Sequence, residues 1–562
     1  MFKLFHRGRN AQSRGQRAKF FGYAGIALGF AMAAGGLPIE ANATSPYLVQ
    51  TKQGPVQGFL GNSGVVEFLG IPYAVPPVGN LRWMPPKAHA SWTKVLKATA
   101  AGPICLQATT LGPFAGPANA NEDCLYLNVY TPDLNPGKEP LPVIVWIHGG
   151  ANLDGGSTDY DGTKLAAQGR VIVVTINYRL GLLGFMANPA IDAEGHPFAN
   201  YGLMDQQLAL KWVQRNIAAF GGDKNNVTVG GQSAGSVDAE SHVISPLSAG
   251  LFQHAIFQSV LLEPSPLSTA EAKGVAFSVA AGCGSGATPS VAKCLRRLSA
   301  QQIFDLSGTA STAAPYESNI IQDGQVLPSA TFTSLIAAGK FNHVPIMGGT
   351  TEDEQNFSLG ITEYFENPRV PFSATDYDNK INSFGAANYP PGTQAKVKAL
   401  YPLGAYASPQ LALDAIGTDS TACAQRYSHI LYSSQVPLYY YEFDDETAPS
   451  YFPVMPGFQP LAYHTADIPY LFPGWHGGPQ GIPHSLNAGQ EKLSDELVAA
   501  WTNFAWTGNP NGQGNAPWPL YTPNKPNVPS IFAETRPNLT TMSDAQFNAK
   551  HHCNFWASIS TY

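Results

Sequence analysis

The chain has 562 residues, with 32 Lys and Arg against 39 Asp and Glu. The resulting formal charge of −7 argues against nucleic acid or anionic membrane surfaces as partners. A hydrophobic fraction of 44%, with 56 Gly and 46 Pro but no repeat or low-complexity stretch, excludes a disordered or fibrous chain and predicts one large loop-rich domain over 44–562. At the start of the chain, Lys3, Arg7, Arg9, Arg14, Arg17 and Lys19 precede an apolar, small-residue run from Phe20 to about Gly36. Ala41, Asn42 and Ala43 then form an A-x-A site. This pattern predicts a signal peptide over 1–43 with cleavage after Ala43. The run is too short and glycine-rich for a stable membrane anchor, which needs ~20 strongly apolar residues. Removing the leader takes the formal charge from −7 to about −12. Six cysteines in an exported chain predict three disulfides without fixing their pairing.

Farther along, Val143 to Ile147 reads as a buried strand that runs into His148, Gly149, Gly150 and Ala151. Small residues after a strand let backbone N–H groups come close to a substrate oxygen. From Asp205 to Ile217, apolar Leu208, Leu210, Trp212, Val213 and Ile217 recur as on a helix packed against a sheet. The β-prone run Val227 to Gly230 leads into Gly231, Gln232, Ser233, Ala234 and Gly235, and a helix-compatible stretch follows. Strand, G-x-S-x-G and helix in that order make a nucleophile elbow, a tight turn that lifts one serine out of the backbone. Ser233 is the candidate nucleophile.

These motifs, together with FLGIPYA from Phe68, EDCLYLN from Glu122, NYRLGLLGF from Asn177, NYGLMD from Asn200 and FGGD from Phe220, resemble the type-B carboxylesterases. That family of α/β-hydrolases also contains the cholinesterases. The likeness extends over nearly the whole chain after the leader and implies an α/β-hydrolase fold: a large, mostly parallel sheet with helices on both faces and cap-like loop insertions. It implies a serine esterase that acts on small-molecule carboxylic esters and needs no cofactor. By position, the family's acid falls on Glu354 in Gly349 to Glu354, and its base on His464. The order Ser233, Glu354, His464 is the one expected for the fold. The resemblance places the oxyanion donors at the N–H groups of Gly150, Ala151 and Ala234, and a supporting serine at Ser259. It implies the disulfide pairs Cys105–Cys124, Cys283–Cys294 and Cys423–Cys553, and the ion pairs Arg82 with Glu122 and Arg179 with Asp205. His551 and His552 beside Cys553 offer too few ligand types for a metal site.

The chain departs from the family at Gln232, where glutamate is common, and at Gln355, where glycine is usual. Asn152 stands where relatives mostly carry an aromatic residue, Asp154 lies just beyond, and Asp238 falls on a helix that is usually more apolar. These three predict a polar substrate pocket. The segment between Cys105 and Cys124 has no tryptophan and only Phe114 as an aromatic, so choline esters are not the expected substrates. Short-acyl or polar-substituted neutral esters are. A secreted lipase acting at interfaces is the alternative reading, and a non-catalytic adhesion module a remoter one. Specificity is expected to reside in the loops 307–320 and 356–375, which match nothing in the family. Export to the periplasm or the medium follows from the leader, and nothing in the sequence points to an oligomeric state.

Overall fold

Eleven segments pair into one sheet in the computed structural model, which describes residues 46–559 apart from 115, 261–262, 308–315, 317–318, 387–388, 513–514 and 534–539. The expected leader with its cleavage site, and most of the loop 307–320, lie outside the described residues. The strands are Phe59–Leu60 (β1), Val66–Pro72 (β2), Tyr126–Thr131 (β3), Leu141–Ile147 (β4), Ile172–Ile176 (β5) and Gly222–Gln232 (β6). His254–Gln258 (β7), Ile346–Thr351 (β8), Leu438–Phe443 (β9), Pro529–Ala533 (β10) and Thr540–Ser543 (β11) complete it. Their spatial order is β1-β2-β3-β5-β4-β6-β7-β8-β9-β10-β11. All neighbours from β5 to β10 run parallel, and the flanking pairs at each edge are antiparallel.

Parallel strands must be covered on both faces, and β4 shows how this sequence does it. All seven residues of β4 are buried. Val143, Val145 and Ile147 feed one hydrophobic core while Ile144 and Trp146 feed another, as the two-residue period of a strand requires. The covering helices that matter for the site are Tyr201–Asn216 (α1), Ala234–Ile244 (α2), Asn356–Phe365 (α3), Pro409–Ser433 (α4) and Ala488–Thr507 (α5). Helix α1 begins four residues before the predicted start, and Ile217–Phe220 tightens into a 3-10 turn that ends at Gly221 with φ 90°.

Three disulfides join Cys105 to Cys124, Cys283 to Cys294 and Cys423 to Cys553. Two ion pairs are buried. The Arg82 guanidinium binds Glu122, and Arg179 meets Asp205 at 2.7 Å. Each also ties a further segment, since Arg179 donates to the Met84 carbonyl and Arg82 to that of Leu298.

Candidate active site

Strand β6 ends at Gln232 and helix α2 begins at Ala234, so Ser233 alone makes the reversal. It pays for this with φ 58° and ψ −127°, a conformation that only a well-braced residue holds. The bracing is visible: the Ser233 N–H donates to the Gln258 carbonyl at 2.9 Å, and the Ser233 carbonyl accepts the N–H groups of Ser236 and Val237. A Cβ on Gly231 would collide with the carbonyls of Gly235 and Ile147, and one on Gly235 with those of Ile147 and His148. The two glycines of the motif are therefore steric requirements. Ser233 also caps the N-terminus of α2, where the helix dipole favours developing negative charge.

Beside the elbow, the turn after β4 runs through Gly150 at φ 111°, Ala151 at φ 56° and Asn152 at φ 59°. Successive residues of this kind turn their N–H groups toward a common point, the arrangement that binds an anion. Any side chain at Gly150 would strike the Asp154 carbonyl.

Glu354 follows β8, and His464 lies on a separate loop 110 residues later. The two meet because the turns carrying them are stitched together: Asp353 donates its N–H to the Ala462 carbonyl at 3.0 Å, and its carboxylate accepts the Ala462 N–H at 3.0 Å. Glu354 Oε2 is hydrogen-bonded to His464 Nδ1. Glu354 Oε1 accepts Thr350 Oγ1 at 2.7 Å and the Thr351 N–H at 3.0 Å, and the Ser259 side chain bonds the same carboxylate. Burial works to raise the pKa of Glu354, but the facing His464 and these donors outweigh it and hold the carboxyl below its ordinary value. On the other side of the ring, Gln232 Nε2 lies 3.1 Å from His464 Nε2, and Gln232 Oε1 is buried with no hydrogen-bond partner among the described residues. With Nδ1–H directed at Glu354, Nε2 carries the lone pair, and the Gln232 amide reaches the nitrogen that would take a proton from Ser233.

Ser233, His464 and Glu354 share one cavity of about 230 Å³ with Gly150, Ala151 and Ala234. Its apolar wall is Leu111, Phe114, Val237 and Phe357, and its polar side chains are Gln355, Ser358, Thr421 and Thr465. Phe357 packs against the His464 ring at 5.4 Å and edge-on to Phe114 at 5.6 Å, which keeps water from that flank of the imidazole. Phe357 and Ser358 come from α3, inside the segment 356–375 expected to carry specificity.

Asn152, Asp154 and Asp238 are not part of this lining. All three are buried away from the cavity and hydrogen-bonded within the protein. Asn152 donates to Asp238 Oδ1 at 3.1 Å and to Asn319, and Gln206 donates to Asp238 Oδ2 at 2.5 Å. The expected polar pocket therefore has different polar residues. One of them, Gln355, was legible as a departure from the family and Thr465 directly follows His464, whereas Thr421 lies on a distant helix with no local signature. Asp467 was also missed. It is buried, accepts Gln258 Nε2 at 2.6 Å, and is pushed up to about 6, first by burial and then by the charge of Glu354.

Two clusters invite a metal reading. Glu352, Asp353 and Glu446 bring carboxylate oxygens within 4.8 Å of one another, but Lys550 already pairs with Glu352 at 2.6 Å and the cluster lies off the cavity lining. His551 uses both ring nitrogens, Nδ1 on Asp419 at 2.8 Å and Nε2 on Glu442 at 2.5 Å. His551 is held up at about 9 by those carboxylates against the opposing effect of burial, which makes it a buried cation and not a ligand.

A sheet of this order with an elbow serine after β6, an acid after β8 and a histidine beyond β9 is an α/β-hydrolase. The chain belongs to the Carboxylesterase family, whose sequence model matches residues 45–556. It is 35% identical over 488 residues to the para-nitrobenzyl esterase of Bacillus subtilis (strain 168), covering 84% of this chain and 92% of that protein. To the acylcarnitine hydrolase of Mus musculus it is 33% identical over 499 residues, with 84% and 85% covered. Among solved structures, a PNB esterase superposes with a TM-score of 0.72 at 32% identity over 90% of this chain and 99% of that one.

Proposed function

We propose that this carboxylesterase hydrolyses small neutral carboxylic esters through an acyl-enzyme on Ser233. The observation that carries the reading is that Ser233, His464, Glu354 and the turn of Gly150 and Ala151 border one cavity, with His464 bonded to Glu354 on its far nitrogen. His464 Nε2 takes the hydroxyl proton as Ser233 Oγ attacks the ester carbonyl, and Glu354 holds the ring in the tautomer that leaves Nε2 free. The N–H groups of Gly150, Ala151 and Ala234 receive the oxyanion. The imidazolium then protonates the leaving alcohol, and water repeats the sequence on the acyl group, returning its proton through His464. Ser259 steadies Glu354, and Gln232 yields the Nε2 lone pair to Ser233 as substrate enters. The signal peptide over 1–43 and a secreted or periplasmic location are part of this reading, supported by three disulfides of the kind that form and persist chiefly in oxidising compartments.

The cavity volume of about 230 Å³ lies below the range of about 300–1,000 Å³ typical of drug-sized ligands, which favours short esters over long-chain lipids. Kinetics on a panel from acetyl to long-chain esters, with a triglyceride on both sides of its solubility limit, test this. Short soluble esters should have the highest kcat/KM, and turnover should show no jump when lipid droplets form. Such a jump, or a preference for long chains, would establish the lipase reading instead.

A further inference from the structure

The segment closed by Cys105 and Cys124 supplies Leu111 and Phe114 to the cavity wall, and its tip is built around a carboxylate from outside the segment. Asp154 is fully buried. Its Oδ1 accepts the Thr109 N–H at 3.1 Å, and its Oδ2 accepts the Thr110 N–H at 2.9 Å and the Thr110 hydroxyl at 2.5 Å. The Leu111 N–H points at the same carboxylate. Three consecutive backbone donors thus wrap one side chain, a concavity that suits only a pure acceptor. Thr109 sits at φ 58°, which a β-branched residue keeps only where its surroundings impose it. Asp154 belongs at the same time to the oxyanion turn, since its N–H donates to the Gly150 carbonyl at 2.9 Å. Gln107 and Gly155 exchange amide hydrogen bonds at 2.9 and 3.0 Å and fasten the base of the segment, while Asp154 fastens its tip.

We propose that Asp154 is a positioning residue that sets the size of ester group the cavity accepts, by pinning Leu111 and Phe114 to the oxyanion turn. The proposal rests on the esterase reading above. With the tip pinned, the apolar wall stands at a fixed distance from Ser233; with it released, the wall can withdraw and longer groups can enter. An amide cannot replace the carboxylate here, because the Asp154→Asn side chain would turn its NH₂ toward backbone donors.

The test is the ratio of kcat/KM for a long ester to that for its short homologue, measured in two series, one lengthening the acyl group and one the alcohol, on the native protein and on Asp154→Asn. A ratio cancels any loss of catalytic power common to both substrates, which is all that a merely structural role would produce. Differences of one methylene in a fitted pocket discriminate by roughly 10-fold or more, so the long-to-short ratio should rise at least about fivefold in one series. Hydrogen exchange of the amides of residues 109–111 should quicken in the same variant without substrate. Thr110→Val removes only the hydroxyl donor and should shift the ratio in the same direction by less, which keeps the test in hand should Asp154→Asn not fold. Ratios unchanged within about twofold in both series, in whichever variant folds, or unaltered exchange at 109–111 in Asp154→Asn, would overturn the proposal while leaving the esterase reading intact. A native protein that cleaves no ester of either series would overturn both.

Discussion

Glu354 is engaged by four groups, accepting from Thr350, Thr351, Ser259 and His464 within one buried pocket. Its role in the proposed chemistry is electrostatic and tautomeric, so a substitution that keeps its shape but not its charge is the informative one. Glu354→Gln should leave the fold intact and lower kcat by on the order of 10⁴, as the loss of a triad carboxylate does elsewhere. Steady-state kinetics would check this, and a loss below about tenfold would remove Glu354 from the mechanism. Residues of this kind were legible to different degrees. Ser233 and Gly150 announce themselves because elbow and oxyanion turn are local patterns in which each glycine answers a nearby backbone clash. Glu354 and His464 could be singled out only by resemblance, since what joins them is a pair of hydrogen bonds between Asp353 and Ala462 across 109 positions, one from backbone to backbone and one from the Ala462 N–H to the Asp353 carboxylate. Asn152, Asp154 and Asp238 were misplaced for the same reason. Their residue types were readable as unusual, but whether a side chain faces a cavity or the protein interior depends on partners such as Gln206 and Thr110 that spacing does not reveal.

At the scale of elements, the acid-bearing turn after β8 is held against helix α4 by a pair of buried carboxyls. Asp353 is hydrogen-bonded to Asp414, which accepts Thr418 Oγ1 at 3.0 Å, and Thr418 in turn accepts the Gln355 N–H at 3.0 Å. Burial, followed by the charge of Glu352, pushes Asp353 up to about 7. Burial and then Asp353 itself raise Asp414 well above the carboxylate range. The folded pair therefore keeps a proton that the unfolded chain releases near pH ~4. Between that value and about pH 7 and beyond, the native state binds more protons than the unfolded one, so this pair loses stability as pH rises. Asp414→Asn retains a donor for Asp353 and removes one ionisation. Its Tm should fall less steeply than that of the native protein between about pH 6 and 9, and should exceed it at the alkaline end. Parallel Tm curves would show that the two carboxyls do not share a proton. The same helix is anchored at Cys423 to Cys553, a separation of 130 residues, for which the loop-closure model gives about 4–5 kcal/mol.

For the molecule as a whole, the sheet was foreseeable in kind and not in detail. Continuous apolar runs such as β4 imply a doubly covered parallel sheet, but the order of eleven strands is decided by pairings between segments as distant as β3 and β5 or β9 and β10, on which local sequence is silent. That architecture brings the C-terminal ends of β4, β6 and β8 together, and the elbow, the turn of Gly150 to Asn152 and Glu354 stand at those ends. In the proposed reaction this meeting point makes Ser233 the one nucleophile of ester hydrolysis. That role is tested most directly by treating the native protein with a fluorophosphonate, following esterase activity, and mapping the label by peptide mass spectrometry, with Ser233→Ala as the control. Activity should be lost in proportion to one phosphonyl group per chain, all of it on Ser233, with neither labelling nor turnover in the variant. A label on any other residue that tracks the loss of activity, or a Ser233→Ala protein that still turns over esters at a rate near native, would contradict it.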